Sequence, residues 1–215
     1  MKKIIIRAFS KVVTAIGKVE WMSKSRISAS DTDKIRDLLT SNYFIILTRR
    51  RNHLSTYFTN LADFVLSGRW GYWSHALMNL EDEVKRDSDF KIVPLSKTAL
   101  IEATSAGVHK TPFEQVFDVH SAVLMKPKLM PLDHWTLILD RGKEQLGKPY
   151  DTLFNIADAN SLSCVELVRY ILQGEPNYEI NFANFEALIK KSKNLSPQMI
   201  FDCGDFEVVF ETRVR

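Results

Sequence analysis

The order of strand and helix patterns along this chain constrains its fold most. Segments rich in β-branched and aromatic residues predict strands, and apolar residues three and four positions apart predict helices. The predicted strands are 42–49, 74–81, 99–104, 114–119, 121–127, 198–203 and 206–214, and the predicted helices are 28–39, 132–147, 164–172 and 184–192. Most of the strands come before most of the helices instead of alternating with them. This order predicts an α+β fold with a mainly antiparallel sheet.

No internal repeat or Pro/Gly-rich linker divides the sequence, so we expect one domain over residues 31–215. Residues 1–30 form a predicted basic, amphipathic helical arm. Arg7, Lys11 and Lys18 interrupt its apolar runs before they reach the length of a signal core or a membrane span. We therefore expect a protein that is cytoplasmic at synthesis. The arm could pack on its own domain, or residues 1–20 could contact an anionic membrane surface, and later delivery outside the cell stays open.

Charge and cysteine content bear on the expected partners of the protein and on the state of its thiols. The 29 Lys and Arg residues nearly balance the 26 Asp and Glu residues, and the net charge of +3 does not predict a nucleic-acid partner. The tight basic cluster Arg49–Arg51 has the pattern of a solvated loop, with a membrane- or nucleic-acid-associated protein as the alternative interpretation. Cys164 and Cys203 are too few for a disulfide framework, so we expect two free thiols.

Cys164 occupies a position that is typical of a nucleophilic cysteine. In the stretch SLSCVELVRYIL, residues 161–172, serines give way to apolar residues with helical spacing, and either Ser161 or Ser163 can cap the helix. Cys164 would then lie in the first helical turn. The unpaired N–H groups and the positive end of the helix dipole favour a thiolate there, although a small core residue would also fit this position. Cys203 lacks such a helix start and is expected to be structural.

A cysteine nucleophile needs a base to handle its proton. The five histidines are His53, His75, His109, His120 and His134. His75 follows the Gly- and aromatic-rich segment SGRWGYWS and begins a predicted strand. It would therefore lie at the end of a sheet, where a side chain can face a cleft. It is the best candidate base, and a hydrogen-bonded structural histidine is the alternative.

Four short blocks in order resemble a known family. WSHALMNL, LIEATSAGV, LGKPYDTLF and SCVELV are similar to successive blocks of the permuted papain-like amidases of the YiiX type. These are relatives of the NlpC-type cysteine peptidases of the cell wall and, more distantly, of the lecithin:retinol acyltransferase group. The resemblance covers roughly residues 40 to 175. It implies a permuted papain-like fold, in which the histidine strand precedes the helix that carries the cysteine.

The resemblance also implies roles for individual residues. Cys164 would be the nucleophile, His75 the base and Glu102 the group that orients the base. A carboxylate at position 102 could accept the second ring N–H of His75 and stabilise the imidazolium, whereas an exposed strand glutamate would need no such partner. The Cys164 backbone N–H and the Tyr150 hydroxyl would stabilise an oxyanion. A long charged segment precedes Glu102, so Asn79 is the alternative orienting residue.

The expected function is that of a cysteine hydrolase, an amidase, peptidase or acyl hydrolase that works through an acyl-enzyme without metal or cofactor. A peptidoglycan peptide and an acylated amine are both candidate substrates. A lipid acyltransferase or thioesterase, and an inactive binding module of the same fold, are the alternatives. The sequence does not choose among the substrates.

Overall fold

The computed structural model describes residues 26–50, 70–80, 85–86, 92–93, 99–128, 134–151, 158, 160–172, 183–192 and 196–213. Its helices and strands are, in chain order, α1 (Ala29–Ser41), β1 (Ile45–Arg49), β2 (His75–Leu80), β3 (Lys85–Arg86), β4 (Ile92–Val93), β5 (Ala99–Thr104), β6 (Gly107–Pro112), α2 (Phe113–Val116), β7 (Ser121–Pro127), α3 (His134–Glu144), α4 (Cys164–Leu172), α5 (Ala183–Ser192), α6 (Pro197–Asp202) and β8 (Phe206–Arg213). The arm predicted over residues 1–30 lies outside the described residues except for its last five.

A six-stranded sheet organises the fold. Its strand order is β6-β5-β2-β1-β7-β8, and every pairing in it is antiparallel. The short strands β3 and β4 pair with each other in a separate two-stranded sheet. The predicted α+β class with a mainly antiparallel sheet is therefore confirmed.

Each face of the six-stranded sheet covers a hydrophobic core. One core joins alternate residues of β1, β2 and β5 to the buried face of α4 and includes side chains of α3, α5 and α6. The other core joins the intervening strand residues to α1 and α2. The central strand β1 is buried along both faces, and this explains why its sequence is a continuous apolar run instead of an alternating one.

Two segments predicted as strands are helical in the structure. Residues 114–119 were expected to be a strand, but Phe113–Val116 forms the single turn α2 after Pro112, and the Phe113 and Phe117 rings lie 4.5 Å apart. This contact between residues four apart favours the helical turn. Residues 198–203 were also expected to be a strand, but they belong largely to α6. Ser196 caps α6 by accepting a hydrogen bond from Met199 N, and Pro197 opens it.

Strand β6 was not predicted, because its sequence GVHKTP has few apolar residues. It pairs with β5 along its whole length, with Glu102 opposite His109 and Leu100 opposite Thr111. It starts at Gly107, whose φ of +92° favours glycine. A Cβ atom there would lie 2.6 Å from the Lys148 carbonyl oxygen, so the close approach of the loop after α3 also requires glycine.

Within the described ranges, none of the helices is long and apolar enough to cross a membrane.

Asn79 joins β2 to the connection between α1 and β1. Its Oδ1 accepts a hydrogen bond from Phe44 N at 2.6 Å, and its Nδ2 donates to the carbonyl oxygens of Leu39 at 3.2 Å and Asn42 at 2.7 Å. The residue is almost fully buried. Its amide therefore satisfies three backbone groups that would otherwise be deprived of partners inside the core.

We expect Asn79→Ala to destabilise the fold, because it leaves the N–H of buried Phe44 without an acceptor. The free energy of unfolding, measured by urea denaturation, should fall by about 2–3 kcal/mol. Asn42→Ala is the matched control, since Asn42 contributes its backbone carbonyl to this network and its side chain is exposed. Equal losses of stability in the two variants would show that the buried amide has no such role.

Candidate active site

The helix α4 begins at Cys164 because Ser163 and Glu166 cap it reciprocally. Ser163 N–H donates to Glu166 Oε2 at 2.7 Å, and Glu166 N–H donates to Ser163 Oγ at 3.4 Å. This is a capping box, and it identifies Ser163, not Ser161, as the N-cap. Ser161 instead donates to Asp158 Oδ2 at 3.0 Å. The predicted location of Cys164 in the first turn of a helix is confirmed.

The capping box leaves two backbone donors at the start of α4. Leu167 N–H bonds the Ser163 carbonyl as the first regular helical hydrogen bond. Among the described residues, no acceptor is found for the N–H groups of Cys164 and Val165. These groups lie beside the sulfur of Cys164 at the positive end of the helix dipole, where negative charge is favoured.

His75 and Glu102 form a hydrogen-bonded pair at the end of β2. The His75 Nε2–H donates to Glu102 Oε2 at 2.7 Å, and the Thr111 hydroxyl donates to Glu102 Oε1 at 2.5 Å. The side chain of His75 is 27% exposed and that of Glu102 is 13% exposed. The carboxylate is therefore largely removed from water, and protein donors replace its lost hydration.

The pair is strongly biased towards imidazolium and carboxylate. Burial lowers the pKa of His75, but hydrogen bonds with Cys164 and Glu102 and the charges of both outweigh it and raise the pKa to about 10. Burial raises the pKa of Glu102, but the hydrogen bond and charge of His75, helped by Thr111 and His109, lower it to about 2. Each partner thus favours the charged form of the other.

Cys164 interacts with the same imidazole as Glu102. Its hydrogen bond and its charge both raise the pKa of His75. Because His75 Nε2 is bonded to Glu102, Nδ1 is the ring nitrogen left for the sulfur. The structure thus places Cys164, His75 and Glu102 in one chain of contacts, with the imidazole in the middle.

Tyr150 lies beside this chain of contacts, in a loop held against β6. Val108 N–H donates to the Lys148 carbonyl at 2.8 Å, and Leu162 N–H donates to the Pro149 carbonyl at 3.0 Å. Burial, followed by the nearby charges of Cys164, Glu166 and Asp151, raises the pKa of Tyr150 well above its ordinary value. The phenol is therefore neutral and keeps its proton for donation.

The remaining candidates lie elsewhere or have different partners. Asn79 bonds the α1–β1 connection, so Glu102 and not Asn79 bonds His75 in the structure. His109 lies on β6 with its Nε2 3.6 Å from Glu102 Oε1, and His120 precedes β7. His134 opens α3, and His53 lies outside the described residues.

Cys203 follows α6 and has surroundings unlike those of Cys164. Its sulfur donates to the Ile200 carbonyl at 3.2 Å. Burial first, and then the charges of Asp205 and Asp202, raise its pKa to about 11. Both cysteines are free thiols.

Sequence reasoning missed two side chains that shape the site. Glu166 completes the capping box, and the serine three positions before it was a readable signal. Burial raises the pKa of Glu166, and the charge of Asp151 raises it further. Thr111 was missed because β6 was not predicted, and only strand pairing brings it to Glu102.

The fold that carries this site is α+β, of a kind already seen in a bacterial protein. The chain is similar to the crystal structure of the metalloprotein yiiX from Escherichia coli O157:H7, with 19% identity and a TM-score of 0.56 over 82% of this chain and 99% of that one. At this identity the similarity shows a YiiX-like fold and no more. Neither a protein-family model nor a curated protein matches the sequence.

The description of yiiX as a metalloprotein raises the question of a metal site in this chain. Within the described residues, no group of three or more His, Cys, Asp or Glu side chains is placed to hold a metal ion. His75, Glu102 and His109 are close together, but the two oxygens of Glu102 already accept hydrogen bonds from His75 and Thr111. These residues therefore do not fit a metal.

We expect the two cysteines to differ in reactivity although they are equally buried, at 6% exposure for Cys164 and 7% for Cys203. Iodoacetamide at neutral pH, followed by peptide mapping, should label Cys164 at least about tenfold faster, because an imidazolium faces its sulfur. His75→Gln should slow labelling of Cys164 and leave Cys203 unchanged. Equal rates for the two thiols in the wild type would contradict this assignment.

The His75–Glu102 pair should also make stability depend on pH. A raised His75 pKa stabilises the fold fully below the unfolded value of 6.5, and this contribution is lost as pH rises towards 10. A lowered Glu102 pKa stabilises the fold above the unfolded value of 4.5, and this contribution is lost as pH falls towards 2. The stability difference between wild type and Glu102→Gln, measured by urea denaturation, should therefore be largest between pH 4.5 and 6.5. A difference that stays constant with pH would argue against the pair.

Proposed function

We propose that this protein is a cysteine hydrolase of the permuted papain-like class, with Cys164 as nucleophile, His75 as base and Glu102 as the orienting group. The observation that carries the proposal is the single imidazole of His75, which bonds Glu102 through Nε2 and interacts with Cys164. A nucleophile, a base and a group that orients the base are the parts that acyl transfer needs.

The first half of the reaction forms an acyl-enzyme. The Cys164 thiolate attacks the substrate carbonyl carbon, and a C–S bond forms as the carbonyl π electrons move to oxygen. When the tetrahedral intermediate collapses, the bond from carbon to the leaving nitrogen, oxygen or sulfur breaks. His75 gives its Nδ1 proton to the leaving group, while Glu102 stabilises the imidazolium up to that moment.

The second half releases the acyl group. Water attacks the thioester carbonyl and gives a proton to His75, the C–S bond breaks, and a carboxylic acid leaves. Cys164 returns as a thiolate beside the reprotonated imidazole. No redox change or external reagent other than water is needed.

Backbone and phenol donors support the proposed oxyanion site. The N–H of Cys164 belongs to the first turn of a capped helix, and the charge of Cys164 acts on the neutral phenol of Tyr150. Such donors stabilise the negative charge that develops on the carbonyl oxygen in the transition state. The capping box supports this role because it occupies the other early donors of the helix with side chains.

The order of the elements supports the permuted class. The histidine strand β2 and the glutamate strand β5 both precede the cysteine helix α4, and α4 packs on β2 and β5. The YiiX-like fold is consistent with this class. The substrate class proposed is an amide, ester or thioester of a carboxylic acid, with peptidoglycan peptides and acylated amines as the candidates to be tried first.

The proposal predicts how the three side chains rank in activity. Cys164→Ser and His75→Gln should each reduce turnover by a factor on the order of 10⁴, and the double variant should be no worse, because the two residues act as a unit. Glu102→Gln should cost about tenfold to a thousandfold, since it keeps a hydrogen bond and loses the charge.

The measurement uses p-nitrophenyl acyl esters as probes, with intact-mass detection of the acylated protein. Cys203→Ser is the matched control and should keep nearly full activity. Wild-type protein that is never acylated on Cys164, by these esters, by muropeptides or by N-acyl amines, would favour the inactive binding module instead.

A further inference from the structure

The Glu102 carboxylate has hydrogen-bond partners on both strands next to its own, so its orientation depends on which of these partners it bonds. β5 supplies Glu102 itself, and β6 brings two side chains to the same face of the sheet, His109 directly opposite and Thr111 on the diagonal. Oε2 accepts from His75 at 2.7 Å, and Oε1 accepts from Thr111 at 2.5 Å. His109 Nε2 lies 3.6 Å from Oε1. Two imidazoles therefore flank one carboxylate.

The distances show which β6 residue bonds Oε1. His109 Nδ1–H donates to the Gly107 carbonyl at 2.9 Å. His109 Nε2 lies 3.6 Å from Glu102 Oε1, which is too long for a hydrogen bond. Thr111 is thus the β6 residue that bonds Glu102.

Thr111 is suited to hold a fixed geometry. It is buried, with 6% exposure, and its β-branched side chain is restricted at χ1. A buried hydroxyl that donates at 2.5 Å to a carboxylate makes a short, charge-assisted hydrogen bond. With Oε1 fixed in this way, the carboxylate plane is set and Oε2 points at His75.

We propose that Thr111 is a positioning residue of the active site, whose hydroxyl fixes the Glu102 carboxylate so that His75 keeps its Nε2–H towards Glu102 and its Nδ1 towards Cys164. The inference rests on the proposed hydrolase function and adds a further side chain to its site. Without this hydroxyl, the carboxylate can rotate, and protonated His109 becomes a competing donor for it.

The test compares Thr111→Val, which keeps the shape and removes the donor, with Thr111→Ser, which keeps the donor. With p-nitrophenyl acyl esters, Thr111→Val should lower kcat about tenfold with KM unchanged, and Thr111→Ser should restore it to within about threefold of the wild type. Lys110→Gln is the matched control on β6, because Lys110 is exposed and lies on the opposite face of the strand, and it should change kcat by less than about twofold. A loss in Thr111→Ser equal to that in Thr111→Val, or a loss in Lys110→Gln as large, would overturn the proposal.

A second readout does not depend on activity. The His75 imidazole can be titrated by NMR, with its signal identified by its disappearance in His75→Gln. Its titration midpoint should fall by about one pH unit in Thr111→Val and stay unchanged in Thr111→Ser. Circular dichroism checks the fold, and Thr111→Ala serves as the donor-free variant if Thr111→Val does not fold.

The two readouts separate the positioning role from the hydrolase function. A shifted midpoint in a protein whose Cys164 is never acylated by the esters, muropeptides or N-acyl amines would sustain the positioning role and reject the hydrolase. An unshifted midpoint in an active enzyme would reject the positioning role alone.

Discussion

The buried carboxylate of Glu102 is the interaction on which the arrangement of the site depends. Its side chain is 13% exposed, so each of its oxygens needs a protein donor, and those donors come from His75 on β2 and Thr111 on β6. Three adjacent strands must therefore keep their register for the carboxylate to be satisfied. A shift of β6 by one residue would turn Thr111 to the opposite face and remove one of these donors.

The helix α4 supplies the remaining part of the site. Its apolar face packs on β2 and β5, and this packing brings its first residue, Cys164, to the imidazole. The capping box of Ser163 and Glu166 fixes where the helix begins and therefore which residue stands at its positive end. The position of Cys164 thus depends on a local feature, the helix cap, whereas the partners of Glu102 depend on strand pairing between residues distant in sequence.

The two cysteines show how much neighbours matter when burial is equal. Both thiols are nearly inaccessible, yet Cys164 faces an imidazole at a helix start, whereas Cys203 follows a helix end near Asp202 and Asp205. Burial and the charges of Asp205 and Asp202 oppose negative charge on the sulfur of Cys203, as its raised pKa shows. Location relative to helix ends and charges, and not exposure, distinguishes them.

The sequence by itself determined the local features: the strong strand patterns of β1, β2, β5 and β7, the capped helix start at Cys164, and the α+β class. These follow from periodicity and capping, which depend on neighbours within a few residues. Only the tertiary structure decided that Glu102 and not Asn79 bonds His75, and that β6 carries Thr111 to the carboxylate. These two outcomes depend on pairing between residues distant in sequence. The helices α2 and α6, in segments predicted as strands, instead follow from the local contact between Phe113 and Phe117 and from the Ser196 cap. The weakly apolar β6 forms because β5 pairs with it, and no pattern within its own six residues encodes that partner.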